Sequence, residues 1–317
     1  TQGLLQRWRM HRLGKNLVSR MIFDFISAQS PNEVGVIAYL IARKQGIPLQ
    51  LQVHTDILSP WYARFSWKER IRVVIARFLL PRAECIRAVS VRIQRSLIMQ
   101  LRIPPERISL LPIFKDLRQY QDINMVCREQ ARFAHYHFRM IAVGRFVEKE
   151  KNFCMLIEMM RLFIRQYPKT LLALVGAGPD EWRYRTMIAK LDLQKNILIE
   201  PWRTDLASFY KCFDIFLMPS RYEGWGLAAL EAMAAGLPVV MTDVGLAGEV
   251  LINGENGIVV PVEDGDAFCR ACLDLSEHPE KRRALADAAQ RAIAQLHPRN
   301  EEEYLALYKK SFERCVK

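Results

Sequence analysis

DIFLMPSRYEGWGLAALEAMAAGLPVVMT, residues 214–242, holds two short apolar runs separated by a longer apolar stretch of helix-forming residues. The runs IFLM and VVM are uninterrupted by charge, as strands covered on both faces must be. Between them the spacing predicts a helix over 226–235, closed by Gly236. A strand, a helix and a second strand joined by short links form one unit of a parallel sheet.

Outward from this stretch the unit repeats. From residue 140 the strands MIAVG, LLALVG, NILIE, DIFLMPS, PVVMT and GIVVP alternate with helices expected near 153–167, 181–192, 205–211, 226–235, 246–252 and 265–277. That is a doubly wound α/β domain. The first part reads the same way but shorter: DFISAQ, PLQLQVH, CIRAVS and ISLLP as strands, with helices near 32–45, 66–80 and 91–101. The boundaries follow as a partial N-terminal domain over 1–120, a polar linker over 121–139, a C-terminal domain over 140–295, and a final amphipathic helix over 296–317 with no strand after it. The chain does not begin with Met and residues 1–20 show no strand, so the reading expects a missing N-terminal piece.

Composition bounds the class. With 317 residues, half of them hydrophobic, the chain supports two cores, and no apolar run is long enough to span a bilayer. Seven cysteines, Cys85, Cys127, Cys154, Cys212, Cys269, Cys272 and Cys315, are scattered, which favours reduced thiols in the cytoplasm. Cys269 and Cys272 form a CxxC inside a helix, with no second pair to make a metal site. The net charge of +12 is lopsided: residues 1–139 carry 23 Lys and Arg against 9 Asp and Glu, the remainder 23 against 25.

In an open parallel sheet ligands sit beyond the carboxyl ends of the strands, so the residues just after each strand are the candidates. Glu223 follows DIFLMPS, and Gly224 and Gly226 let the backbone approach a ligand without a Cβ. The helix that starts there offers free amides and a positive dipole end to a phosphate. Glu231 lies roughly 7 Å along the axis at about 1.5 Å per residue. Two carboxylates flanking an anion site suit diols on either side of a diphosphate, the layout of a nucleotide diphosphate sugar. Glu231 also reads as a solvated surface residue, but its neighbours Ala228 to Leu230 and Ala232 to Ala235 leave the helix no polar face, so its charge is paired or functional.

Arg145 and Lys151, in AVGRFVEKEKNF, follow another strand; they supply cations for a diphosphate leaving group or belong to a solvated turn. LVGAGPD places Gly176 and Gly178 in a turn without the third glycine of a dinucleotide fingerprint, a ligand loop or merely a tight turn. His54 ends a strand of the first part, where it is structural or faces a cleft, and Ser90 reads as a helix N-cap.

The stretch SRYEGWGLAALEAMAAGLPVVMTDVGLAGEVLINGENGIVVP, with VGRFVEKEKN and LVGAGPD before it, resembles the nucleotide-binding signature of retaining GT-B glycosyltransferases of family 4, with its Glu, seven residues, Glu. GVIAYLIARKQGIPLQLQVHTD and CIRAVSVRIQRSL resemble the later part of that family's N-terminal domain. The resemblance implies a GT-B fold of two Rossmann-like domains facing a cleft, the first incomplete. It assigns Glu231 to the ribose and Glu223 to the transferred sugar. Arg145 and Lys151 fall to the diphosphate, beside Gly144, and the amides of Trp225, Gly226, Leu227 and Ala228 to the sugar and diphosphate. His54 falls to the reacting sugar, and the final helix returns to the first domain. It also implies no metal and no cofactor beyond the donor. One departure stands: the family's glycine-rich loop has no counterpart, since Gly3 and Gly14 are isolated.

The function expected is therefore retaining transfer of a sugar from a nucleotide donor to an acceptor hydroxyl, on a lipid-linked or saccharide acceptor of cell-surface polysaccharide or glycolipid synthesis. The alternative is a nucleotide-sugar-binding protein without transfer. Nucleic acid is not expected, because the basic part lacks interleaved aromatics and any recognisable module. RFSWKERIRVVIARFLLPR instead reads as an amphipathic helix whose cations meet an anionic membrane, with Trp67, Ile71, Val74, Ile75 and Phe78 on one face, or as a helix whose apolar face packs on its own sheet.

Overall fold

The computed structural model describes residues 12–14, 16–17, 21–122 and 124–316; Gly3 lies outside them. The chain divides into two compact units, residues 1–114 with 298–317, and residues 115–297.

In the first unit β1 (Ile26–Ala28), β2 (Leu49–Val53), β3 (Cys85–Ala88) and β4 (Ile108–Leu110) form a parallel sheet in that order. Helices α1 (Glu33–Gln45), α2 (Trp67–Leu79) and α3 (Val91–Leu101) connect them. Asn32 caps α1 by accepting from the Val34 amide, and Gly46 ends it in the left-handed region. The Ser90 hydroxyl caps α3 by accepting from the Ile93 amide, so its place after a strand has a local explanation.

LQLQV in β2 alternates because its two faces differ. Leu51 faces α1, while Gln50 and Gln52 are fully buried beneath the C-terminal helix Glu301–Val316. Gln50 donates to the Ser311 carbonyl at 3.2 Å, and Gln52 to the Tyr308 hydroxyl at 2.6 Å. Arg87 of β3, also buried, donates to Gln52 Oε1, to the Leu111 and Pro112 carbonyls and to the Tyr304 hydroxyl, so each of its three nitrogens is hydrogen-bonded. The final helix therefore covers the polar face of the first sheet.

The second unit carries α4 (Arg118–Gln121), α5 (Gln130–Phe133), β5 (Phe138–Val143), α6 (Glu148–Lys151), α7 (Phe153–Gln166), β6 (Thr170–Val175), α8 (Glu181–Lys190), β7 (Ile197–Glu200), α9 (Leu206–Tyr210), β8 (Ile215–Met218), α10 (Leu227–Ala234), β9 (Val239–Thr242), β10 (Ile258–Val260), α11 (Gly265–Glu277) and α12 (Pro279–Ala294). The strands form a parallel sheet in the order β10-β9-β8-β5-β6-β7. Its core packs Met140, Leu172 and Leu217 against Phe153, Met160 and Phe163 of α7 and Phe268 of α11.

Four expectations change. The segment expected as a linker, 121–139, belongs to the second unit, where Phe133 packs on Phe209 and Phe213, and just before it Tyr120 packs on Tyr210. The helix expected at 246–252 is a run of turns, because Gly245, Gly248 and Gly254 adopt left-handed backbone around it. Helix α12 follows α11 after a single residue and is missed by the strand–helix rhythm, since Pro279 opens a second helix directly. Finally, Cys85 is disulfide-bonded to Cys315 and Cys127 to Cys212, with Cα atoms 5.2 and 4.8 Å apart; Cys154, Cys269 and Cys272 are free. The pairs stand 230 and 85 residues apart in the chain, a proximity that only folding creates.

Candidate active site

The second sheet reverses its order between β5 and β8, because β6 and β7 extend from one side of β5 while β8, β9 and β10 extend from the other. At such a switch the connecting segments leave in opposite directions and open a crevice beyond the carboxyl ends. Gly144, Arg145 and Lys151 follow β5, and Ser220 and Glu223 follow β8.

Lys151 and Glu223 meet there. Lys151 Nζ lies 2.5 Å from Glu223 Oε1 and 3.2 Å from Glu150 Oε1, and all three side chains are largely buried. Burial alone pulls the Lys151 pKa down, but the Glu223 and Glu150 carboxylates outweigh it and hold the ammonium above its ordinary value. The Ser220 hydroxyl donates to Glu223 Oε1 at 2.7 Å, while the Ser220 carbonyl accepts from the Thr242 hydroxyl at 2.5 Å. Arg145 is the exposed partner: its guanidinium binds both oxygens of Glu150 at 3.0 and 2.9 Å. Glu150 thus draws Arg145 and Lys151 together.

Arg221 braces the two loops. Its amide donates to the Glu150 carbonyl at 2.8 Å and its side chain to Asn152 Oδ1 at 2.6 Å, to the Glu148 carbonyl and to the Glu263 carboxylate. Asn152 holds a left-handed backbone between α6 and α7, the sharp corner that turns Lys151 back toward Gly144.

Beyond Glu223, Gly224, Trp225 and Gly226 are buried, and α10 starts at Leu227 without a side-chain cap. Gly245 is required here: at φ 55° its Cα lies so close that a Cβ would strike the Trp225 carbonyl and come within 3.1 Å of Glu223 Cβ. The amide of Leu246 donates to that same carbonyl at 2.8 Å, so the loop after β9 cradles the Glu223 loop.

Glu231 faces inward on α10 with 9% exposure. Its carboxylate pairs with Lys115 Nζ at 3.0 Å, and the Tyr120 hydroxyl bonds to it. Burial and then the charge of Glu231 push the phenols of Tyr120 and Tyr210 above their ordinary range. Lys115, Tyr120 and Glu150 escape sequence reasoning, whereas Ser220 and Gly245 follow strands and fall among the strand-end candidates. Lys115 and Tyr120 sit in the weakly patterned stretch before β5, where only their contacts mark them.

Gly176 and Gly178 serve the backbone. Gly144 donates to the Val175 carbonyl at 3.0 Å and Phe146 to the Ala177 carbonyl at 2.8 Å, and a Cβ at Gly178 would meet the Phe146 oxygen at 2.5 Å. The two strand-end loops therefore lie in direct contact, and the turn after β6 supports the loop that carries Arg145.

His54 belongs to the first unit. Its Nε2 lies 3.2 Å from Gln52 Oε1 and 3.0 Å from Gln29 Oε1. Gln52 Oε1 already accepts from Arg87, which fixes the amide and makes the His54 nitrogen the donor, leaving Nδ1 as the acceptor. Burial, then the Arg87 charge, lowers the His54 pKa to about 4. Two residues on, burial raises Asp56 to about 6.

Residues 128–292, more than half of the chain, match the family described as Glycosyl transferases group 1, and residues 2–113 match the Glycosyl transferase 4-like domain. The chain belongs to the group 1 glycosyltransferases. Among relatives of this chain, EpsF of Bacillus subtilis is 28% identical over 225 residues, covering 70% of this chain and 58% of EpsF. The UDP-Gal:alpha-D-GlcNAc-diphosphoundecaprenol alpha-1,3-galactosyltransferase of Escherichia coli is 24% identical over 273 residues, covering 82% of this chain and 68% of that protein. HepE of Anabaena, solved in complex with UDP-glucose, superposes with a TM-score of 0.76 at 21% identity, over 99% of this chain and 83% of HepE. That likeness establishes the GT-B architecture for this chain, two parallel-sheet α/β domains.

Proposed function

We propose that this glycosyltransferase transfers a sugar from a nucleotide-diphosphate sugar to an acceptor hydroxyl with retention of configuration and without a metal. The reading rests chiefly on Lys151 and Glu223, drawn together at the switch point beside an uncapped helix start. The diphosphate would take the α10 amides and the cations of Lys151 and Arg145, charges that offset the leaving group as the glycosidic bond breaks. Glu223 would then hold the transferred sugar and Glu231 the ribose, whose hydroxyls would replace Lys115 or share the carboxylate with it. HepE, crystallised with UDP-glucose, supports a nucleotide-sugar donor.

The acceptor would be lipid-linked or saccharide, in cell-surface polysaccharide or glycolipid synthesis. The Escherichia coli relative, which by its name acts on a diphosphoundecaprenol-linked sugar, supports that class.

Calorimetric titration with UDP-, GDP- and ADP-sugars tests the donor site, with Glu231→Ala as control. Binding of one donor that disappears in the variant is the expected result, and failure of all of them sinks the proposal. The metal reading is tested by the same titration, then transfer, in excess EDTA. Loss of either would overturn it.

A further inference from the structure

Helix α2 connects β2 to β3, and its sequence allowed its apolar stripe either to pack on the sheet or to face outward. It faces outward. Trp67, Ile71, Val74 and Phe78 are exposed by 67, 49, 67 and 47%, while Ala76 and Leu79 turn inward. The four outward residues recur every four, three and four positions, so at about 3.6 residues per turn they form one stripe. Exposed cations flank it: Arg64, Lys68, Arg70, Arg77 and, just beyond the helix, Arg82. The one carboxylate of α2, Glu69, is 4% exposed and sits 3.2 Å from Arg72 on the inner side. The neighbouring α1 adds exposed Leu40, Arg43 and Lys44, and joins α2 through the edge-on contact of Tyr39 with Phe78.

We infer that this face of α1 and α2 docks on the surface of an anionic lipid bilayer, with the four apolar side chains among the acyl chains and the cations on the headgroups. A helix of 13 residues spans about 20 Å, too short to cross a bilayer but suited to lying in its interface. The distribution of charge selects this occupant. An apolar stripe bordered on both sides by a single sign of charge matches a surface that is apolar beneath and uniformly negative above. A second copy of the chain does not match it, because a two-fold contact of the stripe with itself sets cations against cations. The inference is independent of the donor site, and the first unit alone carries it.

Flotation of the purified chain with vesicles tests it, using phosphatidylcholine alone and phosphatidylcholine with about a third phosphatidylglycerol, at low and high salt. The chain floats with the anionic vesicles and not the neutral ones, and high salt weakens binding by about tenfold or more. Val74→Asp, which puts a charge in the stripe, and the pair Arg70→Glu with Arg77→Glu each reduce binding by about tenfold or more. Circular dichroism and thermal melting check that the variants fold. Should Val74→Asp misfold, the double arginine variant decides. Equal flotation with both vesicle types, no flotation, or undiminished flotation of the folded variants overturns the inference. So does a wild-type dimer that Val74→Asp splits and that ignores vesicles.

Discussion

Lys151 and Glu223 stand 72 residues apart in the chain and meet at 2.5 Å across the point where the second sheet reverses its order. Neither is surplus to the other. Lys151 keeps its charge in a buried place because Glu223 and Glu150 are there, and Glu223 is held at a fixed height by Lys151 and Ser220. On the proposed reading, a diphosphate and a sugar bound side by side would need both signs of charge prearranged.

Lys151→Ala removes the cation and leaves two carboxylates facing each other. Stability should fall by about 2 kcal/mol, and transfer by about 100-fold or more. Glu223→Gln keeps the volume and should spare stability more than transfer. Chemical unfolding beside initial rates separates the two effects. If both variants transfer within about twofold of wild type, the pair is structural only.

Glu231 makes a different prediction, because its partners lie on the segment before β5. Glu231→Gln should raise the donor dissociation constant by about tenfold and change the rate at saturating donor little. Tyr120→Phe, which removes the hydroxyl bonded to Glu231, should do the same more weakly. A change confined to the rate at saturation, with affinity untouched, would assign Glu231 to the reacting sugar instead.

The strands were legible in the sequence because a parallel sheet covered on both faces demands uninterrupted apolar runs, and IFLM, VVM and LLALV have no other simple reading. Arg145, Lys151, Glu223 and His54 were legible as strand-end residues once those runs were placed. Lys115 and Tyr120 were not, because a side chain that reaches Glu231 from a polar, aperiodic stretch leaves no periodic trace. Nor was the outward turn of α2, since an amphipathic stripe states only that one face is apolar, and not what it meets.

His54 and Asp56 should titrate in reversed order, His54 near pH 4 and Asp56 near pH 6. The unfolded chain protonates His54 near its ordinary 6.5, so this group costs stability as pH falls from 6.5 toward 4. Asp56 ionises near 3.8 when unfolded but holds its proton to about 6 when folded, so it costs stability as pH rises over nearly the same interval. The two slopes oppose each other. His54→Gln should therefore expose a loss of stability with rising pH, and Asp56→Asn a loss with falling pH. Ring-proton NMR of His54 gives the decisive midpoint; a value near 6.5 would refute the lowering of its pKa by burial and Arg87.

The cysteines offer the sharpest count. Denatured without reductant, the chain should react with iodoacetamide at Cys154, Cys269 and Cys272, and after reduction at all seven cysteines. Cys315 ties the end of the C-terminal helix to β3, beside the buried Gln50 and Arg87 network that this helix covers. A link across 230 residues removes much chain entropy from the unfolded state, so Cys315→Ser should cost about 4 kcal/mol. Reduction of the wild type should lower its melting temperature toward that of the variant. If all seven react before reduction, the paired cysteines are neighbouring thiols, and the helix is held by non-covalent contacts such as those of Tyr304, Tyr308, Ser311, Phe312 and Arg314. Cys315→Ser would then melt with the wild type.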